Sequence, residues 1–297
     1  MKPVITVVIP VYNAAATLGR TLESLRGQRF GDFEVLLVDD GSNDAGLEGA
    51  GALSDQRIQV LRTPGRSGPA AARNIGIKRA AGEIIAFTDS DVVLPPEWLE
   101  RIDAAFKDRE VAVIVGNVVA PPSTVLGNAI AAQGFPGGGS IGFDRMWKVS
   151  PDGCTTNITS CNFAARRRVF EEHGSFDESF PLAGGEDTEL AFRLVKNGVM
   201  IRYVPEVVVE HEPRTGLAEW VRWQVLRGRA CRHFKLKVGN VSGYVGLRVW
   251  SSWNVVKASF PRPRFPLVVL LLLTSFFLQQ WGYLFEAIPG RHSESHT

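Results

Sequence analysis

The chain predicts an α/β domain on a mixed, mostly parallel sheet, followed by a helical, membrane-associated extension. Three observations carry that expectation. Short β-branched runs alternate with helical stretches through the first 120 or so residues. Acidic turns sit directly after several of those runs. After Pro213 the chain turns from acidic to basic and then strongly apolar.

Residues 4–9 form the first strand candidate, and 14–27 the first helix. Residues 33–38 form a second strand that runs into Asp39-Asp40-Gly41-Ser42. A third strand is expected over 58–62 and a helix over 69–81, closed by Gly82. Residues 84–88 form a fourth strand, which ends in Asp89-Ser90-Asp91. A helix over 95–107, opened by two prolines, leads to a strand over 111–119. Near-continuous apolar strands separated by helices indicate parallel strands covered on both faces. Such sheets bind ligands beyond the carboxyl ends of their strands, where these acidic turns lie.

Residues 121–160 are rich in Gly, Pro, Ser and Asn and read as a long irregular connection. Regular structure resumes near Cys161. Glu186-Asp187 opens a helix whose apolar spacing is set by Leu190, Ala191, Leu194 and Val195, with Asn197-Gly198 as its stop. Two strands, 199–204 and 207–210, end at His211.

Residues 1–213 carry 21 Lys/Arg against 28 Asp/Glu, a net −7; residues 214–297 carry 12 against 3, a net +9. This divides the chain into a catalytic domain over 1–213, a basic, Trp-rich helical region over 214–260, and an apolar helix with a short tail over 261–297. Residues 265–285 are uncharged and reach roughly 30 Å as a helix, enough to span a bilayer or to lie in its interface. Lys257, Arg262 and Arg264 before the run and Glu286 after it place the catalytic part on the cytoplasmic side, peripheral or single-pass. The arginines at 222, 227, 229 and 232 suit anionic head groups or a lipid-linked phosphate, although 217–235 do not segregate into a clean amphipathic helix. Nucleic acid is not expected as a partner, because the acidic body opposes it and no recognition motif is present. Three cysteines without a CxxC pair exclude a disulfide framework or a zinc knuckle. The N-terminal apolar run enters a strand pattern directly and has no cleavage site, so a signal peptide is not expected.

Four groups carry chemistry. Asp89 and Asp91, two residues apart after a strand, can share one divalent cation, and oxygen ligands favour Mg²⁺ or Mn²⁺. Asp39 and Asp40 can accept from a base ring N–H or a ribose hydroxyl. Asp187 sits at a helix start after a glycine pair, placed to act as a general base, with Glu186 beside it to orient or bind an acceptor. His211 can complete the metal set through a neutral imidazole. Each has a plain structural use as well. Acids at turns cap helices or make Asx turns, acids at a helix start favour the dipole, and a lone His more often serves packing.

Taken in order, the pieces resemble glycosyltransferase family 2, the inverting family with the GT-A fold. The matching residues are Ile9-Pro10-Val11-Tyr12-Asn13, Asp39-Asp40-Gly41-Ser42, Ala72-Arg73-Asn74, Asp89-Ser90-Asp91, Cys161-Asn162-Phe163, Gly174-Ser175-Phe176-Asp177 and Glu186-Asp187 through Leu194, closing at His211. The resemblance implies a Rossmann-like nucleotide-binding half, with Pro10, Tyr12 and Asp40 lining a nucleoside pocket and Asp39 beside it. It implies Arg73 and Asn74 near the ribose or diphosphate, Asp89 on the nucleotide, Asp91 on the metal and Asp187 as base. The implied donor is a UDP- or GDP-sugar, and the expected acceptor a glycan or lipid-linked hydroxyl. Processive members carry QxxRW, whereas this chain has Glu219-Trp220-Val221-Arg222-Trp223, which favours transfer of one sugar per encounter. A sugar nucleotidyltransferase or a dinucleotide oxidoreductase would need a Gly-rich loop after the first strand, where Pro10-Val11-Tyr12-Asn13 stands instead. A tethered scaffold that has lost activity is disfavoured by the intact Asp89, Asp91 and Asp187.

Overall fold

The computed structural model describes residues 2–49, 55–180, 184–239 and 244–285. The short tail expected after residue 285 lies outside these. The strands are β1 (Ile5–Val11), β2 (Phe33–Asp39), β3 (Ile58–Arg62), β4 (Ile84–Thr88), β5 (Val92–Val93), β6 (Val113–Val119), β7 (Cys154–Thr155), β8 (Asn162–Arg166) and β9 (Ile201–His211). The helices are α1 (Leu18–Arg26), α2 (Gly46–Gly49), α3 (Pro69–Arg79), α4 (Trp98–Ala105), α5 (Val125–Ala131), α6 (Phe143–Met146), α7 (Arg167–His173), α8 (Glu186–Lys196), α9 (Leu217–Val238), α10 (Tyr244–Ser259) and α11 (Phe265–Phe285).

One sheet runs β3-β2-β1-β4-β8-β6-β9-β5, with β7 on β9. Strands β1 to β4 pair in parallel, as do β6 and β9. The central β8 is antiparallel to both its neighbours, which makes the sheet mixed. On one face Ile5, Val7 and Ile9 meet Leu18 and Leu22 of α1 and Trp98 and Ile102 of α4. On the other, Val8, Leu36, Ile85 and Phe87 meet Ala70 and Ile77 of α3 and Leu190 and Leu194 of α8. Burial of each large apolar side chain contributes about 1.5–3 kcal/mol, so the two layers hold the strand ends in fixed register.

Two expectations change. Residues 201–211 form one strand, not two, with the break absorbed by a bulge opposite β6 between Val115 and Asn117. Pro205 cannot donate to the ladder there. The buried Asn162 amide donates to the carbonyls of Asn117 and Val207, and its oxygen accepts from Trp98 Nε1. The connection at 121–160 is also not irregular throughout. Ala129, Ile130 and Ala132 are buried against Trp220 of α9, Val255 of α10 and Val268 and Leu271 of α11. Its apolar residues have partners that lie about 90 to 140 positions further along the chain.

The helix α9 rests on the body through Phe234, whose ring stands 6.0 Å from Phe192 of α8. Helix α11 packs along α9, and glycines permit the approach. A β-carbon on Gly228 would sit 2.1 Å from the Gln279 carbonyl oxygen, and one on Gly282 would sit 2.1 Å from the Val225 carbonyl oxygen.

Candidate active site

A cleft of about 880 Å³ opens at the carboxyl ends of β1, β2 and β4. Pro10 and Tyr12 line it after β1, Asp40 after β2, Asp89 and Asp91 after β4, and His211 at the end of β9. The segment 184–188 at the start of α8 forms another wall, and Trp223 and Arg227 of α9 form a third.

Beside β1, the Arg66 guanidinium lies 4.1 Å above the Tyr12 ring. Asp40 lines the cleft, but its carboxylate is committed: it accepts from Ser67 N at 2.7 Å, Gly68 N at 2.8 Å and Thr63 Oγ1 at 3.0 Å. These bonds shape the loop entering α3. Asp39 is not in the cleft wall. It accepts from Ser42 N at 2.9 Å and stands 3.6 Å from Arg62. Asn74, expected near the ribose or diphosphate, is turned away from the cleft. Its buried amide donates to Phe176 O and Glu178 and accepts from Phe176 N, so it secures the 174–178 turn against α3.

Asp89, Asp91 and His211 converge, with ligand atoms within 4.8 Å of one another. The antiparallel register of β5 and β9 sets Val92 opposite His211, which brings the adjacent Asp91 to 3.4 Å from His211 Nε2. His211 Nδ1 lies 3.1 Å from the Glu212 carbonyl oxygen, which turns Nε2 toward the acids. Burial, with the Asp89 charge, raises the Asp91 pKa, while His211 and Arg214 pull it back. Two carboxylates and one imidazole form a donor set that suits Mn²⁺ or Mg²⁺.

Arg73 is 3% exposed and bridges two acids, with Nη2 3.0 Å from Asp89 and Nη1 3.0 Å from Glu186. Burial opposes its charge, but Asp89, Glu186 and Asp187 together hold its pKa above the usual value. Burial and the neighbouring Asp187 raise the Glu186 pKa against the pull of Arg73. Glu186 is itself only 3% exposed and accepts from Gly184 N at 2.7 Å. It belongs to an internal ion ladder and also lines the cleft. Gly184 and Gly185 hold φ of +119° and +100°, so left-handed geometry is what requires glycine there. Asp187 is half-buried, faces the cleft, and accepts from Thr188 N at 2.7 Å.

Sequence reasoning missed the cleft roles of Arg66, Arg214 and Cys161. Arg214 follows His211 by three residues, which was the available signal. Burial pushes the Cys161 thiol well above its usual range, so it is no nucleophile.

Residues 6–174 match the family described as glycosyl transferase family 2. The pre-mycofactocin glycosyltransferase of Mycobacterium tuberculosis is 36% identical over 228 residues, which cover 75% of this chain and 46% of that protein. The chain therefore spans about half the length of that relative. A glucosyltransferase of Escherichia coli, UDP-Glc:alpha-D-GlcNAc-diphosphoundecaprenol beta-1,3-glucosyltransferase WfgD, is 29% identical over 155 residues, covering 52% of this chain and 59% of that one. Among solved structures, the mannosyltransferase PcManGT of Pyrobaculum calidifontis, in complex with GDP-Man and Mn²⁺, superposes with a TM-score of 0.61 at 20% identity, covering 97% of this chain and 84% of that one. The likeness extends the GT-A fold over the whole sheet. With a family match over more than half its length, the chain belongs to glycosyltransferase family 2.

Proposed function

We propose that the protein is an inverting glycosyltransferase that moves one sugar from a UDP- or GDP-sugar to the hydroxyl of a glycan or lipid-linked acceptor. The observation that carries this reading is that Asp187 and the Asp89, Asp91 and His211 cluster open into one cleft. The family match, the GDP-Man and Mn²⁺ held by PcManGT, and the diphosphoundecaprenol acceptor named for WfgD support it.

In this reading Pro10 and Tyr12 receive the nucleoside, and Arg66 extends the stacking surface. Asp89, Asp91 and His211 would hold Mn²⁺ or Mg²⁺, which would supply positive charge to the departing diphosphate. Arg214, whose charge is felt at Asp91, supplies a further cation to the leaving group. Asp187 takes the acceptor proton while the acceptor oxygen bonds the anomeric carbon and the bond to the donor phosphate breaks. Attack opposite the leaving group inverts the anomer, and no covalent enzyme intermediate forms. Glu186 acts through Arg73 and the 184–185 backbone to position these groups, without touching the acceptor.

We assign the catalytic domain to 1–213, a basic helical region to 214–260 and a membrane-associated helix with its tail to 261–297. The cations before α11 favour the anionic cytoplasmic leaflet. A panel of UDP- and GDP-sugars incubated with Mn²⁺ or Mg²⁺ tests the reaction. Slow, metal-dependent hydrolysis of one donor is expected. Binding of nucleoside diphosphate without hydrolysis of any donor would favour a binding protein that keeps the fold.

A further inference from the structure

We infer that α11 docks on the membrane lying in the plane of the interface, and does not cross the bilayer. By length and composition the helix is apolar enough to span, and it would be read so from sequence. Its packing contradicts that use. Contacts with α9 extend along almost the whole helix. Val268 and Leu271 share a buried cluster with Trp220, and Gln279 Nε2 donates to Gln224 Oε1 at 2.6 Å. Further along, Gly282 lies against Val225, and Phe285 lies under the Arg229 guanidinium at 5.4 Å. From residue 268 to 285 this is roughly 26 Å, most of a hydrocarbon core.

The partner helix cannot follow α11 into a bilayer. It carries Arg222, Arg229, Arg232, Lys235 and Lys237, and charged side chains at bilayer depth are strongly disfavoured. It is also fastened to the catalytic body. Phe234 packs on Phe192, His233 stands 4.6 Å from the Phe180 ring, and Lys237 pairs with Asp177. A helix joined along its length to a charged helix on a globular domain can only lie beside it.

The outward side of α11 has the composition that an interface takes. Leu270, Leu273, Phe276, Phe277, Trp281 and Leu284 are each 54–68% exposed and recur at three- and four-residue steps. Cations border this stripe at both ends. Lys257, Arg262 and Arg264 precede the helix, and Arg232 lies 5.3 Å over the Tyr283 ring near its end. An apolar stripe with an aromatic residue and flanking cations fits the acyl boundary of an anionic leaflet. Docking this way holds Trp223 and Arg227, which line the cleft, beside the head groups.

The docking does not rest on the transferase reading, and its test is independent of turnover. Single nitroxide labels are placed at residues 270, 277 and 284 of the full chain, with Cys154 and Cys231 replaced by Ser. Their depths are measured on vesicles of phosphatidylcholine and phosphatidylglycerol. Equal, shallow depths at the three positions are expected. A helix spanning over Phe265–Phe285 would place residue 277 about 10 Å deeper than residue 284 and about 5 Å deeper than residue 270, and that result would overturn the inference. Labels that stay at solvent depth, or become shielded only in a dimer without lipid, would overturn it as well. The double variant Leu273→Glu with Phe277→Glu should weaken vesicle binding more than tenfold and leave donor hydrolysis in solution unchanged. Unaltered vesicle binding would refute the assigned face.

Discussion

Arg73 and Glu186 form an ion pair at 3.0 Å in which both side chains are at most 4% exposed. The pair joins α3 to α8, which carries Asp187. Arg73 also pairs with Asp89, so one side chain ties the turn after β4 to the start of α8. Removing one member of a buried pair leaves an uncompensated charge, which costs about 3–5 kcal/mol. Arg73→Met should therefore lower stability by about that amount, read as a shift in urea midpoint at unchanged slope. A loss under about 1 kcal/mol would mean that the acids find water, and that the ladder does not hold the site together.

Asp187→Asn keeps the size and the backbone contact of the side chain but removes its basicity. Transfer should fall by at least about 10²-fold, the lower range for a general base, while nucleoside diphosphate and Mn²⁺ bind as before. Calorimetry together with a transfer assay checks both halves. Turnover within a few-fold of the parent chain would remove Asp187 from the role.

The cation set gives a pH dependence with a defined sign. A bound divalent ion must displace the proton from Asp91, whose pKa burial holds above the carboxylate norm. Mn²⁺ affinity should therefore decline on acidification starting above the usual Asp range, which is centred near about 3.9. His211→Ala should weaken Mn²⁺ binding. Titration of Mn²⁺ binding between about pH 4 and 8 is the measurement. An affinity independent of pH, or unaffected by His211→Ala, would dissociate these residues from the metal.

The acidic turns after β2 and β4 were legible because carboxylates directly following apolar runs have few places to go in a parallel sheet. Arg73 was legible as a site residue, but its task was not. Its partners lie 16 and 113 positions away, and only the fold brings them together. The antiparallel β8 escaped notice because Phe163, Ala164 and Ala165 are buried on both faces and show no alternation. The 121–160 segment read as irregular because glycines dominate its composition. Its buried alanines gain meaning only under α9, α10 and α11. The spanning length of α11 was legible, whereas the glycines that seat it on α9 carry no periodic signal.

A surface ion pair reports on how α9 is held. Asp177 pairs with Lys237, and although burial raises its pKa, the bonds from Lys237 and Ser179 outweigh this and bring it to about 2. A depressed carboxylate stabilises the fold above its unfolded value, and that contribution is lost as pH falls from about 4 toward about 2. With Lys237 36% exposed, solvent screening limits the effect to about 1 kcal/mol or less. Asp177→Asn should flatten the stability profile across that acidic window and change little at neutral pH. Chemical denaturation at a series of pH values tests it, and an undiminished slope would assign the acid sensitivity elsewhere.

Two glycine substitutions separate helix propensity from helix packing. Alanine in place of glycine inside a helix is intrinsically favourable by about 0.8–1.0 kcal/mol. At Gly246 in α10 nothing lies within 4 Å of an added β-carbon, so Gly246→Ala should stabilise the chain by up to that amount. At Gly228 the same carbon would sit 2.1 Å from the backbone oxygen of Gln279, which cannot rotate away. The helices α9 and α11 must then separate by an ångström or so. That breaks the Gln224 to Gln279 bond at 2.6 Å and opens the apolar seam beneath Leu271. Overpacking of this kind typically costs about 1–3 kcal/mol, more than the propensity gain. Gly228→Ala should therefore destabilise the C-terminal helices and speed proteolysis within 261–285, with amide hydrogen-exchange protection of the sheet strands unchanged. Equal behaviour of the two variants would mean that α11 is not held by close packing on α9, and the case for its in-plane position would lose its main support.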